Sequence, residues 1–337
     1  MISILLLAQL AAPVTPPAHG VGLSVPAHAI VRWDAVGHRA MAALAYDRLR
    51  PATRARVDAL LRQHPDIVRL AEGVDVTSEQ GVRELFLRAS IWPDRIRSDE
   101  RFYTETDPKV APTPLLPGFP TMAKRAEWHY LTRSFSTDGT APVSLAAPNV
   151  VTILPSLADA MSDNANPPAL RAYNLSWLIH VVGDLHQPLH GTSRSTSRAP
   201  GGDAGGNREW VQLPGIASDS VNLHAVWDGW VGRATRNMPI NDVARMLGNA
   251  LPVPVDQLRE ELAIPAGAAL AATAQLWADE SAIIARYVAY DLPPRTGAAP
   301  PRLTDAYVAQ GEAIARQRLA LAAYRLAALL EARLGGE

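Results

Sequence analysis

From Asp34 onward, apolar residues recur every three or four positions along most of the chain, the period of an amphipathic helix. Val36, Ala40, Met41, Leu44, Ala45 and Leu49 predict a first helix over 34–50, stopped by Pro51. Thr53 is a candidate cap for a second helix reaching Gln63, and Ser78 or Glu79 starts a third that runs to Ile91. From Asp99 to Glu127 the Pro, Thr and Gly content predicts a loop, with Phe102, Tyr103 and Phe119 as its aromatics. Residues 150–163 read as a helix that Pro155 should kink. Pro167 and Pro168 open a strong helix over 169–185, ended by Pro188. A polar loop over 191–220 follows, in which 208–213 reads as a short strand. Helix returns over 222–231, then in two long stretches near 267–290 and 304–334. The expected fold is all-α: one mainly helical domain with a short β-hairpin in a long loop.

The first residues break this pattern. Residues 2–12 are an apolar run too short to span a membrane, and Ala27-His28-Ala29 has the small-x-small form of a cleavage site. The N-terminal residues are therefore expected to be a leader, and the protein secreted or periplasmic without a membrane anchor. A formal charge of -1 provides no global basic field for nucleic acid. Any polyanion must be held by local arginines or by metal. The absence of cysteine excludes disulfides, thiolate metal sites and a cysteine nucleophile.

Histidine and aspartate placement changes the picture most. His180 and Asp184 lie four residues apart, as do His224 and Asp228, and His190 falls between the pairs. On a helix that spacing stacks an imidazole over a carboxylate on one face. Nitrogen and oxygen donors without thiolate suit zinc and suit more than one ion. Other histidines are weaker candidates taken singly: His38 in the first helix, His129 in WHYL. Asp94 follows Trp92-Pro93. His186 is offset from the ligand spacing and is expected to orient a ligand through a hydrogen bond, and His64 to face solvent at a helix end. Asp203 and Asn207 in GGDAGGN are expected to be structural. The sequon Asn174-Leu175-Ser176 falls inside a predicted helix, where it should have no role.

Taken in order, Trp33-Asp34-Ala35-Val36-Gly37-His38, ASIWPDRIR, Trp128-His129-Tyr130, HVVGDLHQPLH, GGDAGGN and NLHAVWD resemble the family of trinuclear-zinc single-strand nucleases and 3'-nucleotidases that includes mung bean nuclease. The resemblance implies an all-α fold related to zinc phospholipase C and three Zn2+ ions. Asp94, His129, His180 and Asp184 would hold the first. His190, His224 and Asp228 would hold the second. His38, a bridging Asp184 and the free amine and carbonyl of an N-terminal Trp33 would hold the third. That last site requires cleavage directly before Trp33, so the resemblance implies a leader over 1–32 and the functional domain over 33–337, whereas the small-x-small pattern places the cut after Ala29. The resemblance also implies hydrolysis of single-stranded DNA and RNA by a metal-activated hydroxide, giving 5'-phosphates, with 3'-nucleotides as further substrates. Asp94, Arg97 and Asp184 would be catalytic, Arg97 also clamping phosphate, and Tyr130 would stack a base. The family's Asp or Asn two residues beyond that aromatic is here Thr132. No protein partner is evident. A zinc phospholipase C is the first rival. Its last ligand pair resembles HxxxE, against His224-xxx-Asp228 here. A zinc-storage protein is the second, disfavoured because the ligands come from separate segments.

Overall fold

The computed structural model describes residues 35–143, 148–215, 220–258, 262–264, 269–295 and 297–335. Residues 1–32, expected to be a leader, and Trp33 lie outside the described residues. Helices dominate: α1 Ala35–Tyr46, α2 Pro51–Leu61, α3 Ile67–Leu70, α4 Glu79–Ala89, α5 Trp92–Arg95, α6 Val150–Ser162, α7 Pro168–Leu185, α8 Leu223–Asp228, α9 Trp230–Ala234, α10 Ile240–Gly248, α11 Ala269–Ile284 and α12 Asp305–Leu334. Two small sheets complete it. Strands β1 Ser134–Ser136 and β2 Ser193–Ser195 pair in parallel, and β3 Trp210–Gln212 pairs antiparallel with β4 Ser220–Asn222. The mainly helical domain and the hairpin in the long loop are as the sequence pattern predicts.

The helix starts follow local chemistry. Ser78 caps α4 by accepting from Gly81 N, Asn149 caps α6, and Thr304 caps α12 through Tyr307 N. Thr53 does not cap α2. Arg50 is the N-cap and Pro51 takes the first turn, where its missing N–H costs nothing. Thr53 is instead buried and donates to Glu331 of α12. α6 continues through Pro155 to Ser162. α11 runs on into a wider π turn over Ala285–Ala289.

α7 is the centre of the molecule. Its residues from Ala172 to Leu185 are all buried. A helix apolar nearly all round must be enclosed by others, and α6, α2, α12, α5, α1 and α4 pack against it. Trp177 from this helix sits among Trp92, Trp128 and Tyr173, joining α5 and the 99–127 loop to the core. Phe102 and Phe119 of that loop pack on Trp92, which explains how a long irregular segment stays fixed. Most buried apolar residues form one continuous cluster, with Leu258 and Leu321 as a small satellite. The segments carrying the candidate ligands share one core.

Candidate metal centre

Burying α7 carries its polar residues inward. His180 and Asp184 face one side of the helix, and His129 comes to them from the 3-10 turn Ala126–His129. His129 Nδ1 lies 2.9 Å from both His180 Nε2 and Asp184 Oδ2. His180 Nε2 lies 3.0 Å from the same Oδ2. Asp94 Oδ1, from α5, stands 3.9 Å from each of the two histidine nitrogens. The other oxygen of Asp184 turns elsewhere: Oδ1 is 3.3 Å from His38 Nε2 and 3.5 Å from His190 Nδ1. A short way off, His190 Nε2 and His224 Nε2 lie 3.6 and 3.4 Å from the two oxygens of Asp228. The His190 and His224 rings stack at 4.9 Å. Among the described residues three groups able to hold a metal result: His38 with Asp94 and His180, His129 with His180 and Asp184, and His190 with His224 and Asp228.

The tautomers are set from behind. Nδ1–H of His180 donates to Ser90 O, that of His190 to His129 O, and that of His224 to Gly205 O. Each bond leaves Nε2 pointing into its group, the nitrogen that a metal ion would take in place of a proton. Gln187 donates to Asp228 Oδ1 at 2.6 Å, and Asn222 caps α8 so that His224 and Asp228 stand one turn apart. Among the described residues, both ring nitrogens of His38 and Nε2 of His129 are buried without a hydrogen-bond partner. Unpaired buried polar atoms are costly, and a cation resolves the cost for those that face it. The buried nitrogen and oxygen donors therefore fit zinc.

Electrostatics point the same way. Burial disfavours the charge on Asp184, but His180 and His190 outweigh it and hold its carboxyl well below the usual range. Burial draws His129 down to about 4. At His180 burial is outweighed by Asp184 and Asp94, which lift the imidazole to about 9. Burial likewise opposes ionisation of Asp228, and His224 and His190 overcome it. Asp94, Asp184 and Asp228 are thus ionised at neutral pH, concentrating negative charge where a cation would sit.

An open cavity of about 570 Å³ lies over these groups, lined by Arg97, Tyr130 and Thr132 on one side and by Ala204, Asn207 and Arg208 of the glycine-rich loop on another. Arg97 Nη1 is 3.7 Å from Asp94. Tyr130 is 37% exposed, so a ring face is available to a ligand in the cavity.

The chain matches the S1/P1 nuclease family model over residues 33–335. The chain belongs to the S1/P1 nuclease family. It is a metal-dependent phosphodiester hydrolase of the nuclease class, acting on nucleic acid. No curated protein matches it.

Within this member of the family, the structure gathers His38, Asp94, His129, His180, Asp184, His190, His224 and Asp228 at one place, with Arg97 and Tyr130 beside them. Two histidines differ from expectation. His186 bonds Val182 O through Nδ1 and Arg325 through Nε2, so it faces a buried charge cluster and orients no ligand. His64 is buried, 1% exposed, and its Nδ1 accepts from Asp66 N. Asp203 is structural as expected, accepting from Arg194 N and the Tyr290 hydroxyl. Asn174 is nearly buried within α7 and donates to Leu170 O, so its sequon is not presented. Gly183 was not singled out in the sequence. A Cβ there would meet His38 Nδ1 at 2.8 Å, so glycine is what lets α1 lie on α7 and His38 stack on His180 at 4.2 Å. The available signal was a glycine in the middle of a helix otherwise made of good formers.

Proposed function

We propose that this chain cleaves single-stranded DNA and RNA at a centre of three zinc ions, leaving 5'-phosphates, and also removes phosphate from 3'-nucleotides. Asp94, His129, His180 and Asp184 would hold the first ion, and His190, His224 and Asp228 the second. His38 and the second oxygen of Asp184 would hold the third, together with the amine and carbonyl of Trp33. The observation that carries this reading is Asp184, whose two oxygens face two different histidine groups beneath an open cavity. Zinc bound there would supply a water of lowered pKa and neutralise charge on the phosphate.

The chain's own residues do the rest. The Arg97 guanidinium, at the cavity wall, pairs with non-bridging phosphate oxygens and fixes the phosphorus over the ligand groups. Asp94 is ionised because His180 and His129 outweigh its burial, and it reaches the cavity. It is placed to orient the attacking water and to hold its departing proton. Tyr130 offers its ring to a base, which must be unstacked to lie there, and this favours single strands. Among the described residues Tyr130 is the one exposed large apolar side chain that lines the cavity, which favours a nucleic-acid substrate over the phospholipase reading. In the same proposal residues 1–32 are removed, Trp33 becomes the N-terminus, and the mature enzyme works outside the cytoplasm. Among the described residues no helix is long and apolar enough to cross a membrane.

The test is product analysis on a single-stranded oligonucleotide, with a phosphatidylcholine vesicle as control substrate. The reading expects 5'-phosphate ends and no lipid hydrolysis. 3'-Phosphate ends, or faster turnover of the lipid, would overturn it.

A further inference from the structure

Gln187 is not a candidate ligand, yet it bonds three residues that are. It follows the end of α7, and Pro188 behind it confines it to extended backbone, observed at φ −78° and ψ 121°. In that conformation its N–H donates to Asp184 O at 3.0 Å, and its carbonyl accepts from His190 N at 3.1 Å. The side chain adds two more bonds. Nε2 donates to Asp228 Oδ1 at 2.6 Å, and Oε1 accepts from Leu189 N at 2.5 Å. Asp184, His190 and Asp228 come from α7, from the 3-10 turn Pro188–Gly191 and from α8, so one residue ties three elements together.

Gln187 is wholly buried and does not line the metal cavity, so it meets no substrate. Capping the turn does not by itself account for it. Serine, asparagine or aspartate caps a helical turn as well with a shorter side chain. A glutamine adds an N–H beyond the cap, and burying an amide is costly unless both of its ends are bonded, as they are here. Among the described residues it is the donor to Asp228 whose nitrogen is not itself a candidate ligand. The other nitrogens facing this carboxylate, His190 Nε2 at 3.6 Å and His224 Nε2 at 3.4 Å, are those a metal ion would take. With Oδ1 held by the amide, the carboxylate is kept from turning, and Oδ2 stays towards His224.

We infer that Gln187 is the positioning residue of the second group: one side chain sets both the plane of the Asp228 carboxylate and the turn that carries His190. The inference rests on the metal-centre reading and adds to it the reason that this group is arranged before an ion arrives. Without the amide, Asp228 would have to give up its rotational freedom at the moment of binding. Partners that orient a ligand in this way are worth about ten- to hundredfold in metal affinity. The effect is confined to one ion, because His180 of the first group is held instead by Ser90 O.

The experiment titrates zinc-loaded protein with a chromogenic chelator and follows zinc release ion by ion, with the visible absorption of the Co2+-substituted protein as a second readout. Wild type is compared with Gln187→Asn, Gln187→Met and His224→Ala. Asparagine still caps the turn, but its amide is one methylene short of Asp228; methionine fills the space with neither hydrogen bond. In both variants one ion should be held roughly ten- to hundredfold more weakly, with a changed cobalt band, while the others stay as in wild type. That ion should be the one His224→Ala lacks, so adding Gln187→Asn to His224→Ala should weaken nothing further. Unchanged release from both Gln187 variants would overturn the inference. Equal weakening of every ion would also overturn it, because it would show a loosened fold and not the placement of one ligand. A wild type that binds zinc but leaves single strands intact would sink the nuclease reading, and the titration would still decide the role of Gln187. A wild type that takes up no zinc would sink both.

Discussion

The two oxygens of Asp184 face different histidines, Oδ2 towards His129 and His180 and Oδ1 towards His38 and His190, so replacing it should disturb both sides. Asp184→Asn keeps the shape but removes the carboxylate charge that faces His129, His180 and His38, leaving one oxygen in place of two. We expect at least roughly a hundredfold loss of single-strand cleavage, with loss of bound zinc by elemental analysis. Retained zinc at wild-type stoichiometry would contradict the bridging role. Gly183→Ala tests the site from the other side. Its methyl would push on His38, which is wholly buried and has nowhere to go, so zinc content should fall while His190, His224 and Asp228 are undisturbed.

His64 supplies a pH-dependent prediction at the same scale. Burial draws its imidazole down to about 3, with the Asp66 carboxylate opposing. A base that is harder to protonate folded than unfolded contributes stability at neutral pH, and loses it as pH falls below its unfolded value towards 3. Between pH 7 and 5 the wild type should lose about 2 kcal/mol through this group. Denaturant unfolding of His64→Gln should show a correspondingly shallower decline. Equal declines would sink the assignment. Among these residues the ligands were legible because residue type and spacing carry the chemistry. The burial of His64 was not, since its position depends on Trp92 folding over it at 4.8 Å, a contact between segments far apart in sequence.

At the scale of elements, α12 holds the metal helix in place by charge as well as packing. Arg318 and Arg325 of α12 both bond Glu280 of α11, and all three are buried. Arg318 also donates to His186 O, and Ser281 to Leu185 O, which fixes the turn leading from α7 to Gln187 and His190. Glu280→Gln leaves two buried guanidiniums without their counter-charge and should cost about 3–5 kcal/mol, seen as a lowered midpoint of thermal unfolding. A shift below the noise would mean that the cluster is not paired as described. The long helices were readable from their periodicity and caps, as at Ser78 and Thr304. α10 escaped because it runs for only nine residues and no side chain caps its start. The parallel pairing of Ser134–Ser136 with Ser193–Ser195 escaped because its strands lie far apart in the chain and bear no alternating apolar pattern.

For the whole molecule, the consequence is that the fold and the site are one construction. The candidate ligands come from α1, α5, α7, α8 and the turns at His129 and His190, and all of them close on the buried helix α7. The sequence alone argued against dividing the chain, since the ligand types run from His38 to Asp228, and the continuous core agrees. The measurement closest to the central claim is cleavage of a single-stranded oligonucleotide by the purified mature protein, before chelation, after it, and after zinc is returned. The account predicts activity that chelation abolishes and zinc restores. Cleavage that persists without metal, or its absence in fully zinc-loaded protein, would contradict it.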